Sequence, residues 1–202
     1  GGGQRLVLNL REFNPWVVYR HFKMEGIHLL RDLLQQDDWM VRLDLKDAYL
    51  TIPIFPPHRR FLQFQWRHQW FEYLSLPFGL SSAPWVFTKL MKPIVERLRE
   101  LGIRMIIYLD DMILMAQDKS CLVSQLALTI NLLQELGFLI NLKKSFLIPS
   151  QQMEFLGFQI NSVSAQLLLP PQKIKSIKRE LKSTLSKQMV SLRCLARIVG
   201  LL

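Results

Sequence analysis

Leucines at positions 6, 8 and 10 alternate with Arg5, Val7, Asn9 and Arg11, the period-two pattern of a strand with one apolar face. Asn14-Pro15 predicts a turn after it. Over residues 26–36 the apolar positions Ile27, Leu30 and Leu34 fall at helical spacing, and 39–44 reads as a buried strand. Residues 60–66 and 69–74 predict a hairpin around Arg67-His68. Ser81-Ser82-Ala83-Pro84 offers a serine cap and a first-turn proline, so a helix is expected from there to Gly102. Its apolar face is Phe87, Leu90, Ile94, Leu98 and Leu101, with a bend near Pro93. Residues 103–116 are two apolar runs separated by Asp110-Asp111, the pattern of a β-hairpin with carboxylates at or beside its turn. Leu122, Leu126, Ile130 and Leu133 predict a second helix, stopped by Gly137. Short strands follow around 138–140, 145–148 and 154–160. Beyond Pro170-Pro171, Ile174, Ile177, Leu181 and Leu185 form one helix face while Lys175, Lys178, Arg179 and Lys182 occupy the other. This order of elements is α+β, with helices packed on an antiparallel sheet.

Composition narrows the class. A chain of 202 residues, half of them hydrophobic, can bury the core of one substantial domain or two small lobes, which excludes disorder as a description of the whole. The net charge is +10 and the pI about 9.9, and a basic globular protein attracts polyanions. The excess is uneven, because residues 151–202 hold eight Lys or Arg against two Asp or Glu. Two distant cysteines, Cys121 and Cys194, exclude a disulfide scaffold or zinc ribbon and suit a reducing compartment. His21, His28, His58 and His68 show no metal-ligand spacing. No apolar run approaches the ~20 residues of a membrane span, and no signal peptide opens the chain. The expectation is therefore an intracellular protein without a membrane partner, in cytoplasm or nucleus. Both ends look cut, Gly1-Gly2-Gly3 leading straight into a strand pattern and Gly200-Leu201-Leu202 stopping in a helical one, so a fragment of something longer is expected.

The chemistry concentrates in three aspartates set among apolar strands: Asp44 after Val41-Arg42-Leu43, and Asp110-Asp111 between Ile106-Ile107-Tyr108-Leu109 and Met112-Ile113-Leu114. Carboxylates near a core are costly unless a cation meets them, and adjacent like charges raise the cost. A divalent cation with oxygen ligands, such as Mg²⁺, explains the placement. If Asp44 and Asp110 lie on neighbouring strands, their oxygens could bridge two metals ~4 Å apart, suited to activating a hydroxyl and stabilising a leaving pyrophosphate. An isolated Asp-Asp is also ordinary turn chemistry.

Tyr108-Leu109-Asp110-Asp111 resembles the YxDD box of reverse transcriptases, and the neighbouring motifs of that family appear here in order. The segment from Arg5 through Leu8-Asn9-Leu10-Arg11 to Asn14 resembles the fingers strand whose first Arg meets the incoming triphosphate. Leu43-Asp44-Leu45-Lys46-Asp47-Ala48-Tyr49 resembles the first palm motif. Leu76-Pro77-Phe78-Gly79-Leu80-Ser81-Ser82-Ala83-Pro84 resembles the loop and helix start that hold template and nucleotide. Leu136-Gly137-Phe138 with Asn141 and Lys143-Lys144-Ser145 resembles the fourth palm motif, and Phe155-Leu156-Gly157-Phe158 the primer grip. Within the family, Phe78 in the LPFG loop points to retrotransposon relatives, and the wording of these motifs looks most like DIRS-type elements, which mobilise with a tyrosine recombinase.

The resemblance implies a right-hand polymerase in which 1–18 and 52–82 belong to the fingers, 19–51 and 83–163 to the palm, and 164–202 to the start of a thumb. It implies an RNA-directed DNA polymerase that adds dNTPs to a primer 3′-hydroxyl on an RNA or DNA template. Asp44, Asp110, Asp111 and the Leu45 backbone carbonyl would hold two Mg²⁺ ions, with Mn²⁺ as a substitute. Arg5 would clamp phosphates as a bidentate guanidinium, its bland alternative being a solvated charge. The Asp47 and Ala48 amides would cradle the triphosphate, although Asp47 fits a helix cap equally. Tyr49 would act as a steric gate against a 2′-hydroxyl. Phe78 would pack on the nucleotide, and Gly79 would let the backbone approach template and base. Lys144, or its neighbour Lys143, would protonate pyrophosphate. Phe155, Leu156 and Gly157 would press the primer end toward the metals, and Lys175, Lys178, Arg179 and Lys182 would ride on duplex phosphates. Two other classes compete: a non-catalytic nucleic-acid-binding remnant of a decayed element, and a two-metal nuclease or phosphatase, which leaves the LPFG loop unexplained. The absence of an upstream lysine and Asn9 in place of a common Asp depart from the family pattern, and the oligomeric state is left open.

Overall fold

Strand β1 (Trp39–Lys46) organises the molecule, because its alternate side chains are buried on opposite faces. The computed structural model describes residues 7–186 and 189–199. Ahead of β1 lie a 3₁₀ turn at Asn14–Trp16 and helix α1 (Ile27–Leu33). After it come α2 (Pro56–Arg59), the hairpin β2 (Gln63–Trp66) and β3 (Gln69–Glu72), and the long helix α3 (Ala83–Glu100). Then follow β4 (Arg104–Tyr108), β5 (Asp111–Ala116), α4 (Lys119–Glu135), β6 (Leu139–Ile140) and β7 (Phe146–Ser150). The chain continues through β8 (Gln152–Phe155), β9 (Phe158–Asn161), β10 (Gln166–Leu168), α5 (Pro171–Leu185) and α6 (Leu192–Val199).

The central sheet has the order β4-β5-β1-β6, all antiparallel, with β7 sharing the β6 edge of β1. Val41, Leu43 and Leu45 face a core with Phe87, Met91, Val95 and Leu98 of α3 and Leu122, Leu126 and Leu133 of α4. Met40 points the other way, into a second core with Leu30 of α1, Ile106, Ile113 and Met115 of the sheet, and Met153, Phe155 and Ile160 of the small β8-β9-β10 sheet. The two long helices thus cover one face as expected, while α1 and a second sheet cover the other. Each fully buried Leu, Met or Phe contributes about 1.5–3 kcal/mol. Since both faces are filled, a one-residue slip of β1 would exchange the two cores, and its register is fixed.

Several sequence expectations change in detail. Arg5 and Leu6 lie outside the described residues; residues 7–10 join no strand ladder, and Asn14 ties the segment to the LPFG loop instead, its Nδ2 donating to the Gly79 carbonyl (2.9 Å) and its Oδ1 accepting from the Ser81 amide (2.9 Å). Helix α1 stops early because the Asp38 carboxylate takes the Gln35 amide (2.8 Å) and Asp37 turns left-handed. Helix α3 starts without a side-chain cap from Ser82, and its buried stripe is Ala83, Phe87, Met91, Val95 and Leu98; Leu90 and Leu101 are exposed. The strand expected over 154–160 is two strands, folded back at Leu156-Gly157. On α5 only Ile177 of the predicted apolar face is buried, and Leu185 is 84% exposed.

The outer edge of β4 is closed by side chains. Glu25 receives two hydrogen bonds from Arg99 Nη2 (2.7 and 2.8 Å) and one from the Ile107 amide (2.9 Å), while the same Arg99 nitrogen donates to the Met105 carbonyl (2.9 Å).

Candidate active site

Three elements bring the aspartates together. Asp44, near the C-terminal end of β1, faces Asp111, the first residue of β5, across the ladder, and Tyr108 of β4 flanks Asp111 on its other side. Asp110 occupies the β4–β5 turn with Leu109, whose φ of +54° is left-handed, an uncommon state for a bulky residue that marks a turn under strain. The Leu45 amide donates to the Asp110 carbonyl (2.8 Å), the Asn141 amide to the Asp44 carbonyl (2.8 Å), and the Asp44 amide to Ser145 Oγ (3.0 Å). Backbone bonds therefore fix Asp44 relative to both the carboxylate turn and the 141–145 loop.

Asp44 is 6% exposed, and Lys144 Nζ lies 3.8 Å from its Oδ2. Lys144 is the member of the lysine pair that reaches the carboxylates, with its side chain 60% exposed. Burial first, then the negative charges of Asp110 and Asp44, push the Asp111 carboxyl above its ordinary range, against the opposing pull of Arg42 and Lys144. The site is short of positive charge, and its donors are hard oxygens, so the residues fit a divalent cation. Among the described residues, no three Asp, Glu, His or Cys side chains are gathered closely enough to hold a metal ion by themselves.

On the α3 side, Tyr49 packs against Phe78 (ring centroids 5.1 Å) and Phe87 (5.5 Å). Burial, followed by the charges of Asp110 and Tyr108, raises its phenol pKa above the ordinary value. Asp47 is left-handed (φ +50°) and stands at the N-cap position of a 3₁₀ turn, Ala48–Thr51, where its carbonyl accepts from the Leu50 amide (2.8 Å) while its side chain makes no capping bond. Ala48 is buried. Gly79 has φ +101°, and a Cβ there would meet the Leu8 carbonyl oxygen at 2.6 Å, so the glycine is required by both conformation and space.

On the opposite side, Leu156 (φ +49°) and Gly157 (φ +74°) form the two-residue β8–β9 turn, both left-handed as a type I′ hairpin demands. Phe155 is 1% exposed inside the second core, so it shapes the turn from beneath. Lys175, Lys178, Arg179 and Lys182 are all exposed on α5. Arg5 lies outside the described residues.

The structure also shows a cleft that the sequence reading missed. It has a volume of about 710 Å³ beside the carboxylate turn, with Ile107 and Leu109 among its lining and Arg20, Lys23, Lys89 and Lys92 supplying cations. Arg20 stacks on the Trp85 ring at 5.0 Å. The i, i+3 spacing of Lys89 and Lys92 on the outer face of α3 was the available signal; nothing local announces that residues 20–25 pass over that face.

Residues 3–160 match the family described as reverse transcriptase (RNA-dependent DNA polymerase). The Gag-Pol polyprotein of avian reticuloendotheliosis virus is 28% identical over 172 residues, covering 81% of this chain and 15% of the polyprotein. The retrovirus-related Pol polyprotein from transposon opus of Drosophila melanogaster is 26% identical over 190 residues, covering 89% and 19%. A foamy viral protease-reverse transcriptase, solved in complex with double-stranded DNA, superposes with a TM-score of 0.79 at 24% identity, covering 98% of this chain and 32% of that one. The chain thus spans less than a fifth of these polyproteins and about a third of the foamy viral chain, whose likeness carries the right-hand polymerase fold. With most of its length matched by the family and its relatives drawn from retroviral and retrotransposon polyproteins, this chain belongs to the reverse transcriptases.

Proposed function

We propose that this chain is the catalytic core of an RNA-directed DNA polymerase that extends a primer 3′-hydroxyl with dNTPs on an RNA or DNA template. Members of the family use divalent metal ions. The observation that carries the reading is the registered carboxylate set, Asp44 opposite Asp111 with Asp110 bonded to Leu45, lying between Tyr49–Phe78 on one side and Lys144 on the other. Asp44, Asp110, Asp111 and the Leu45 carbonyl would hold two Mg²⁺ ions, with Mn²⁺ as substitute, which supply activation of the primer hydroxyl and charge relief on the pyrophosphate.

The chain's own residues supply the rest. Tyr49, braced by Phe78 and Phe87, excludes a 2′-hydroxyl by its bulk, and Phe78 packs on the nucleotide. Backbone amides of Asp47 and Ala48, together with Arg5, receive the triphosphate, and Gly79 admits template and base. Lys144, within reach of Asp44, delivers a proton to the leaving pyrophosphate. Leu156 and Gly157 hold the primer end. Lys175, Lys178, Arg179 and Lys182 contact duplex phosphates, a reading supported by the duplex bound to the foamy viral protein.

In this reading 1–18 and 52–82 are fingers, 19–51 and 83–163 palm, and 164–202 the start of a thumb. The motif wording favours a DIRS-type retrotransposon as the source, and the proposed place of action is inside the cell, in cytoplasm or nucleus; a flanking tyrosine-recombinase gene would test the subfamily. Primer extension on a primed RNA template with dNTPs and Mg²⁺ or Mn²⁺ tests the activity. The protein should extend the primer, and Asp110→Asn should lower the rate at least about 10³-fold while template binding stays within threefold. Undiminished synthesis by the variant would refute the carboxylate assignment, and no synthesis by the parent would favour the non-catalytic remnant.

A further inference from the structure

Arg42 lies on β1 two residues before Asp44, on the same face of the strand, between Met40 in the second core and Asp44 at the open end. Its guanidinium leaves the strand and makes two hydrogen bonds to different loops. Nη1 donates to the Glu154 carbonyl (2.8 Å), two residues before the Leu156-Gly157 turn between β8 and β9. Nη2 donates to the Lys144 carbonyl (2.9 Å). Nε is buried without a partner, so the side chain forgoes one bond to place the other two. Asp44 already ties the near end of the 141–145 loop through the Asn141 amide and Ser145 Oγ, but further along β1 the ladder is irregular. The β1–β7 ladder pairs Met40 with Ser150 and Arg42 with Phe146, an irregular register in which Pro149 removes a donor.

Resting on the polymerase reading above, we propose that Arg42 is a positioning residue: it sets the distance and angle of both the Leu156-Gly157 turn and the Lys144 loop relative to the carboxylate strand. It acts through those two carbonyls and touches no reacting atom. A lysine keeps the charge but lacks the planar fork that spans two separate acceptors, so Arg42→Lys is disruptive in this role. The nucleotide pocket of Tyr49 and Phe78 lies across the sheet and is untouched. Misplacing a primer end by about 1 Å costs up to about 100-fold in rate.

The test compares the protein with Arg42→Lys and Arg42→Met on a primed RNA template. Both variants should lower kcat about 10- to 100-fold and raise KM for primer–template, with KM for dNTP within twofold and the thermal midpoint within 2 °C of the parent. Parental kinetics in both variants would overturn the proposal, as would a joint rise of both KM values, the mark of general loosening. Independently of activity, hydrogen exchange of amides 144–146 and 154–158 should quicken at least about fivefold in Arg42→Met while β4 and β5 keep their protection. Unchanged exchange there overturns the proposal, whereas a parent that fails to extend the primer counts against the polymerase reading alone.

Discussion

Gly79 shows how much one missing Cβ decides. Its left-handed φ and the 2.6 Å approach to the Leu8 carbonyl combine two penalties, and Gly79→Ala should destabilise the protein by about 2 kcal/mol, read as a lowered midpoint in urea. A variant as stable as the parent would mean that residues 7–10 yield freely. The glycine was legible in the sequence, sitting in a motif where close approach was expected; the surface it approaches was not, because Leu8 is distant along the chain and reads as part of a strand. Leu109 and Leu156 were less legible still. Both hold left-handed conformations that a leucine resists, imposed by the turns that present Asp110 and the β8–β9 corner. The strand-favouring Phe155, Phe158 and Ile160 around Leu156-Gly157 are what made 154–160 look like one strand.

Among the elements, the short connection between α1 and β1 does more than join them. Asp38, fully buried, accepts two hydrogen bonds from Arg104 of β4, one from the Gln35 amide and one from Gln117 after β5, and its carbonyl accepts from Ser162 Oγ (2.6 Å) after β9. One loop thus ties the central sheet to the small sheet that carries the Leu156-Gly157 turn. Burial pushes the Asp38 carboxyl up, but the bonds from Arg104, Gln35 and Gln117 and the Arg104 charge outweigh it and hold the carboxyl below the ordinary aspartate value of 3.8. A depressed carboxyl contributes stability that is complete above the unfolded-state value and disappears as pH falls through the folded one. Asp38→Asn should therefore cost about 3 kcal/mol at pH 7, a deficit that shrinks as the pH is lowered below about 4. Denaturant melts of both proteins from pH 3 to pH 7 measure it, and a pH-independent difference would show that the ion pair is not the source. Helical and hairpin periodicity exposed the β4–β5 hairpin and the long helices α3, α4 and α5, but not α2, β10, α6 or the Asp118 cap of α4. This network escaped, since Asp38, Arg104, Gln117 and Ser162 are ordinary polar residues until the fold gathers them.

At the scale of the whole molecule, the surplus charge has a place. Lys175, Lys178, Arg179 and Lys182 stand exposed along α5, and the cleft beside the carboxylates adds Arg20, Lys23, Lys89 and Lys92. Replacing the four α5 residues by glutamine should weaken binding of an RNA·DNA duplex and flatten the dependence of log K on log salt by about 0.9 for each phosphate no longer neutralised. Anisotropy titrations across a potassium chloride series give the slope, and an unchanged slope would move the duplex off this helix. The carboxylates were legible because ionisable groups inside apolar strands are costly without a purpose. The cleft was not, because it depends on how the segment at 20–25 crosses α3.

The clasp of Glu25 and Arg99 on β4 has a further consequence. A sheet whose outermost strand shows free amides and carbonyls invites another strand, from the same chain or a stranger, to continue it. Here the Ile107 amide and the Met105 carbonyl, neighbours on that margin, are already taken by the two halves of one ion pair. The strand that delivers Tyr108 to the carboxylate turn is thereby closed to fibre-like growth along that stretch, and its margin can serve as the wall of a cleft.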